Sequence, residues 1–315
     1  EKRYVPAVIS LALASWHSQP LMIIAFGTLA YYFFSQIQMP LVNGKGRIDI
    51  NPSLLVKSSF LFILIILPYL YNYALFGVFT PWTILQDGWT QRYGFGIQNM
   101  SLKKLFEQFF DLNAGLFWYA PMLLLFGIYC LFRSAKSYMR DRLVLLITLL
   151  TAFFYQTNPA WHYGTAGYGP SRHILFILPF LIYFAVRELK SGIKGQFVIF
   201  FFVVSQLFTL SMNGFIAPQF ENTLFHSPYA RYVLDNFPHI YNPTAEIFVD
   251  RTNHTDLKIL KTAIYKNNGE CKKAYVLKTD MNLLEQECGF IPEGYEDKLE
   301  GKYSVKPYEG IYVNF

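Results

Sequence analysis

The chain has 315 residues, 53% of them hydrophobic and only 15% charged, with 31 Phe and 23 Tyr, whereas an ordinary soluble domain carries roughly 25% charged residues. Its 27 basic and 21 acidic residues divide unevenly: 16 against 7 over residues 1–213 and 11 against 14 over 214–315, regional charges of +9 and −3. The basic residues lie in short loops between apolar runs and form no stripe with stacking aromatics, which excludes nucleic acid as a partner and fits the positive-inside pattern of a chain surrounded by a lipid bilayer.

In chain order, Glu1-Lys2-Arg3 shows neither an initiator Met nor a signal-peptide pattern, so the chain reads as the C-terminal portion of a longer protein. Residues 5–35 are apolar but broken by Trp16-His17-Ser18-Gln19-Pro20. Proline and polar residues at membrane depth need protein or a water-filled cavity around them, and a bent pair of short helices is expected there. Further apolar runs occupy 55–75, 114–132, 141–157, 171–187 and 196–214, each close to the roughly 20 residues that cross a bilayer.

Orientation follows from the loop charges. Lys45 and Arg47, then Arg133, Lys136, Arg140 and Arg142, then Arg187, Lys190 and Lys194 mark cytoplasmic loops. The Trp- and Tyr-rich stretches 76–113 and 158–170 then face outward, as does everything after 214. The expected fold is an all-α polytopic transmembrane bundle over 1–214, five full spans plus the bent pair, followed by a small C-terminal α+β extracytoplasmic domain over 215–315. Its expected place is the bacterial inner membrane, with that domain on the periplasmic side.

Within the tail, Asp256–Tyr265 has a helix-like pattern, and Ile247–Asp250, Ala274–Lys278 and Gly310–Phe315 are strand-like. Cys130 falls inside an apolar run, where a thiol behaves as a small apolar group. Cys271 and Cys288 lie in the polar tail. They form either a disulfide, as an oxidising periplasm allows, or two unpaired thiols.

Two outward segments carry the polar chemistry. The first runs from Tyr71-Asn72-Tyr73-Ala74-Leu75-Phe76-Gly77 to Tyr93-Gly94-Phe95-Gly96. Its aromatics suit the headgroup layer, and Asn72 needs partners for an amide at membrane depth. Asp87 and Asp111 in this loop are either acid/base groups or ordinary loop and cap residues. The second is Trp161-His162-Tyr163-Gly164-Thr165-Ala166-Gly167-Tyr168-Gly169-Pro170-Ser171-Arg172-His173, directly before the apolar run from Ile174. An anion beside Arg172 and His173 would gain from a helix N-terminus and a guanidinium fork, which describes a site for a lipid phosphate. The other reading of Arg172 is a topological anchor that snorkels to the interface. The six His show no metal-binding spacing, and no glycine-rich phosphate loop follows a strand, so no metal or cofactor is expected.

These segments, in order, resemble the bacterial GT-C type membrane glycosyltransferases that use polyprenyl-phosphate-linked sugars, the mannosyltransferase and aminoarabinose-transferase group. The resemblance covers about residues 1–215 and rests on three stretches: Tyr71 to Gly77, Asp111-Leu112-Asn113-Ala114-Gly115-Leu116-Phe117-Trp118-Tyr119-Ala120-Pro121, and Trp161 to Arg172 followed by Leu178-Pro179. It implies inverting transfer of a sugar from a polyprenyl-phosphate donor to an envelope glycan, lipid or protein acceptor at the outer face of the membrane. The catalytic carboxylate it implies lies upstream of residue 1, so no catalytic residue is assigned within the chain. Arg172, with His173 and His162, would stabilise the departing lipid phosphate, and Trp161, Tyr163 and Asn72 complete the implied substrate-binding set. The chain departs from the pattern at His17-Ser18-Gln19, where many relatives have Arg or Lys before the proline. A transporter or assembly subunit for envelope polysaccharide is the alternative, although the apolar runs hold few of the midplane charges that transport uses.

Overall fold

A computed structural model describes residues 4–17, 21–36, 41–42, 45–46, 51–77, 99–134, 139–156, 174–178, 181–182, 193–213, 225–254, 261–277, 280–293 and 310–315. They fall into two units, Glu1–Gly96 with Leu131–Thr157 and Ile97–Cys130 with Asn158–Phe315. Residues 97–130 thus belong with the C-terminal part of the chain.

The first unit is built on α1 (Tyr4–His17), α2 (Leu21–Gln36) and α3 (Pro52–Phe76), with a two-residue ladder of β1 (Leu41–Val42) and β2 (Lys45–Gly46) between the second and third helices. α3 has clear boundary signals. Asn51 caps its start by accepting the Ser53 N–H at 2.9 Å, Pro52 occupies its first turn, and Gly77 closes it in the left-handed region at φ 68°. Val8, Ala12, Ala25, Leu29, Tyr32, Leu61 and Ile65 form the buried core of the three helices. Trp16 Nε1 donates to the Leu64 carbonyl at 2.9 Å and Tyr69 Oη to the Ser15 carbonyl at 3.4 Å, fixing the end of α1 against α3. A fourth helix, Met139–Tyr155, lies so close to α2 that a Cβ on Gly27 would come within 2.5 Å of the Ile147 side chain.

The second unit begins with α4 (Leu102–Phe110), capped by the Ser101 hydroxyl on the Lys104 N–H. A 3-10 turn (Leu116–Trp118) and α5 (Pro121–Ser134) follow, the latter belonging to this unit up to Cys130. With the first unit's Met139–Tyr155 helix as α6, the later helices are α7 (Ile193–Asn213), α8 (Pro228–Asn236), α9 (Ala245–Asn253) and α10 (Met281–Cys288). They accompany an antiparallel sheet in the order β3 (Ala263–Asn267), β4 (Glu270–Leu277), β5 (Gly310–Asn314).

Alternation along the strands separates two apolar layers. Ala263, Tyr275 and Tyr312 face Leu234, Phe248 and Val249 of α8 and α9, while Ala274, Val276 and Val313 face Leu284 of α10. The central strand is therefore buried on both faces. Its hairpin with β3 closes through Asn268 and Gly269, both at positive φ (51° and 86°), as a tight two-residue turn requires.

The structure corrects the expected all-α polytopic bundle. Among the described residues one helical stretch, Pro52–Leu75, is long and apolar enough to cross a membrane. The run 114–132 fails because its first residues are drawn into a tight turn on Asp111 and a 3-10 turn, so helix starts only at Pro121 and reaches Ser134. Its 14 residues span about 21 Å, short of roughly 30 Å of hydrocarbon. The run 141–157 forms a helix of 17 residues, Met139–Tyr155, whose first turn carries Arg140, Asp141 and Arg142; its apolar stretch among the described residues is Leu146–Tyr155. The run 196–214 lies within the 21 residues of α7, where the apolar stretch among the described residues is Ile199–Thr209. Of 171–187, residues 174–177 form a 3-10 turn and most of the rest lies outside the described residues. The two pieces of 5–35 do form a helix pair, α1 and α2.

Two tail assignments also change. Ile247–Asp250 is helical, within α9, because Glu246 and Arg251 complement the helix dipole at its two ends and His254 closes it at φ 55°. Ala263–Tyr265 is strand, held by β4, while 255–260 lie outside the described residues.

Candidate functional site

The densest polar arrangement among the described residues surrounds Asp111 at the end of α4. Asp111 Oδ1 accepts the backbone N–H groups of Asn113 and Ala114, both at 2.8 Å, the local turn an Asp favours. Its Oδ2 accepts the Tyr241 hydroxyl at 2.7 Å. Asn113 extends the network: Nδ2 donates to Tyr241 Oη at 2.8 Å and lies 3.3 Å from His226 Nδ1, while Oδ1 accepts the Ser227 N–H at 2.8 Å. Since Nδ1 accepts, the proton of His226 sits on Nε2 and points to Thr252 Oγ1 at 3.0 Å. The Ser227 hydroxyl donates to the Leu112 carbonyl at 2.5 Å and caps α8 by accepting the Ala230 N–H.

Electrostatics follow from this enclosure. Burial pushes the Asp111 carboxyl up from its ordinary range, opposed by the hydrogen bonds from Tyr241, Ala114 and Asn113. Burial holds His226 well below its ordinary value, with the nearby Arg251 acting in the same direction, so its imidazole is neutral. One turn earlier on α4, Glu107 is also buried and accepts the hydroxyl of Thr244, the residue that caps α9. Burial pushes its carboxyl up to about 7.

Asp111, Asn113, Tyr241 and His226 turn towards one another, and the loop 111–115 is braced to α8 and α9 across more than a hundred residues of sequence. Chemically this is a brace: each polar atom in the chain spends its capacity on a protein partner. Gly115 lets the loop close, because a Cβ there would sit 2.5 Å from the Asp111 nitrogen. The structure thus resolves the two readings of Asp111 in favour of a turn and cap residue.

Apart from this network, the buried Lys273 uses all three Nζ donors on neutral acceptors: the Pro238 carbonyl at 2.6 Å, Asn242 Oδ1 at 2.7 Å and Asn314 Oδ1 at 2.6 Å. It lies 4.9 Å from the Tyr312 ring centre. Burial pushes its pKa down to about 8. Among the described residues no three His, Cys, Asp or Glu gather as metal ligands.

Set against known protein families, curated proteins and solved structures, the chain matches none of them.

Of the residues singled out in the sequence, Trp161, His162, Tyr163, Arg172 and His173 lie outside the described residues, as does Asp87. Asn72 is buried in α3. Cys271, at the head of β4, and Cys288, at the end of α10, are joined as a disulfide with their Cα atoms 5.8 Å apart. Sequence reasoning missed Glu107, Asn113, His226, Tyr241 and Lys273, whose partners are remote in sequence. A separate feature of the first unit is a groove of about 650 Å³ between α2 and α3, lined by Phe26, Phe33, Leu55 and Phe62. The hydroxyl of Ser58 in this groove is buried with no hydrogen-bond partner among the described residues.

Proposed function

We propose that the chain works at a membrane, within a GT-C type glycosyltransferase that moves a sugar from a polyprenyl-phosphate donor to an envelope acceptor at the outer face of the bacterial inner membrane. The observation that carries the membrane part is α3. Its 25 residues measure about 37 Å, and large apolar side chains are exposed over the broad face turned away from α1 and α2, including Val56 (70%), Phe60 (60%), Ile63 and Leu70. Contiguous apolar surface of this kind is what a lipid environment covers. The Cys271–Cys288 disulfide supports an oxidising, extracytoplasmic setting for the C-terminal part.

Sugar transfer rests on the resemblance, whose middle stretch, Asp111–Pro121, is the braced turn that sets the start of α5. In this reading Arg172 holds the donor phosphate, with His173 and His162 beside it, because a fixed guanidinium stabilises the charge that develops on the departing lipid phosphate. The test is Arg172→Ala in the full-length protein, followed by sugar transfer and by membrane insertion. Loss of transfer with normal insertion is expected, and near-normal transfer would sink the phosphate-site assignment. A wild-type protein that moves intact lipid-linked sugar across vesicles without hydrolysing or transferring it would favour the transporter reading instead.

A further inference from the structure

α4 is amphipathic with its faces reversed. The side turned into the protein holds Glu107 and Gln108 as well as Phe109, and the Gln108 amide finds no hydrogen-bond partner among the described residues. The side turned outward holds Leu102, 79% exposed, and Phe106, 62% exposed, with Phe110 on the same stripe. A helix on a water-facing surface shows the opposite arrangement.

From this stripe a chain of half-buried rings runs on to α8. Phe106 stacks on Phe110 at 4.8 Å, Phe110 meets Phe117 at 6.0 Å, Phe117 meets Trp118 at 5.3 Å, and Trp118 meets Tyr229 of α8 at 4.7 Å. Trp118 is held in place by its Nε1 donating to the Phe110 carbonyl at 3.1 Å. Beyond Tyr229, one turn along α8, Tyr232 is exposed. Aromatic rings with one polar edge are the side chains that collect at a membrane–water boundary.

A bilayer is the occupant because of α7, in the same unit. From Phe197 to Phe208 this helix exposes Phe, Ile, Val and Leu over one broad face, with Phe202, Gln206 and Thr209 on the other. Two of its hydroxyls turn back onto its own carbonyls, Thr209 to Ser205 at 2.9 Å and Ser211 to Phe208 at 2.7 Å, a bond that needs no water. On the broad face the exposed Leu207 and Phe208 are followed by the exposed Ser211, and Gln206 Nε2 meets the Tyr119 carbonyl, beside Trp118, at 3.4 Å. The aromatic chain therefore lies at the edge of α7's apolar surface.

We propose that the outward face of α4 and the aromatic chain from Phe106 to Tyr229 seat the second unit in the headgroup layer of a lipid bilayer, with α4 lying in the plane of the interface. The proposal rests on the membrane reading of the chain and not on sugar transfer.

The test uses the full chain in phosphatidylethanolamine/phosphatidylglycerol vesicles, with its disulfide intact and Cys130→Ala to leave one reactive thiol. A nitroxide is attached in turn at Phe106→Cys, Leu102→Cys, Val56→Cys on α3 and Lys266→Cys on β3, and its collisions with dioxygen and with a water-soluble nickel chelate are compared. Labels at 102 and 106 are expected to favour dioxygen, as at 56, with the reverse at 266. Nickel-accessible labels at 102 and 106 with a lipid-exposed 56 would overturn the seating and leave the membrane reading standing. Labels shielded from both reagents would overturn it in favour of a protein partner or a second copy. A water-exposed label at 56 would remove the membrane reading itself.

Discussion

Glu107 makes the stability of the second unit depend on pH in a direction opposite to that of most surface carboxylates. Its carboxylate is 7% exposed, bonded to Thr244 at the start of α9, one helical turn from the buried Asp111 and 3.6 Å from Lys103. Burial is the largest influence and raises the pKa from its ordinary 4.5 to about 7. The folded state then holds this proton more tightly than the unfolded chain does. Stability is fully present below about pH 4.5 and is lost as the pH rises through about 7. The shift corresponds to about 3 kcal/mol at ~1.4 kcal/mol per pH unit. Asp111, also raised by burial, adds to the slope with the same sign.

Glu107→Gln keeps an acceptor for Thr244 and removes the charge. The wild-type chain in detergent, unfolded by urea and followed by proteolytic susceptibility of the second unit, should therefore lose midpoint between pH 5 and 8. The Gln variant should lose much less and be the more stable of the two at pH 8. A wild-type midpoint that rises over that range, or an unchanged slope in the variant, would refute the reasoning.

Two further outcomes follow from the packing of the same unit. Gly115→Ala places a methyl 2.5–2.7 Å from backbone atoms of Asp111 and Phe110, so it should cost about 2 kcal/mol by overpacking and lower the urea midpoint measured in the same assay. Reduction of Cys271–Cys288, 17 positions apart, should cost about 3 kcal/mol of loop-closure entropy, read as a lower midpoint with dithiothreitol than without; an unchanged midpoint would contradict this.

What could be read from the sequence was local. The helix pair α1 and α2 follows from the break at Trp16–Pro20, and α3 from its apolar length and the Asn51-Pro52 start. Asn268-Gly269 is the strongest short hairpin signal in the tail, and these turn residues, not the helix-like periodicity of Asp256–Tyr265, decide β3. Ile247-Phe248-Val249 has strand composition, yet α9 buries it all round, and burial on every side erases the alternation that would tell strand from helix.

The run from Ala114 has the hydropathy of a membrane span, because hydropathy counts side chains and ignores the turn that Asp111 imposes on the two residues after Leu112. The brace itself had no local signature. Asn113 and His226 stand 113 positions apart, and their pairing arises only when α4 docks on α8 and α9.

Donor binding tests the central claim most directly. The full-length protein in lipid nanodiscs is titrated with a short-chain polyprenyl-phosphate sugar, beside the same experiment on Arg172→Ala. The account predicts saturable binding that the variant weakens by roughly a factor of ten or more, the loss of one charge-assisted phosphate contact. Equal binding by the two proteins, or no saturable binding by either, would contradict it.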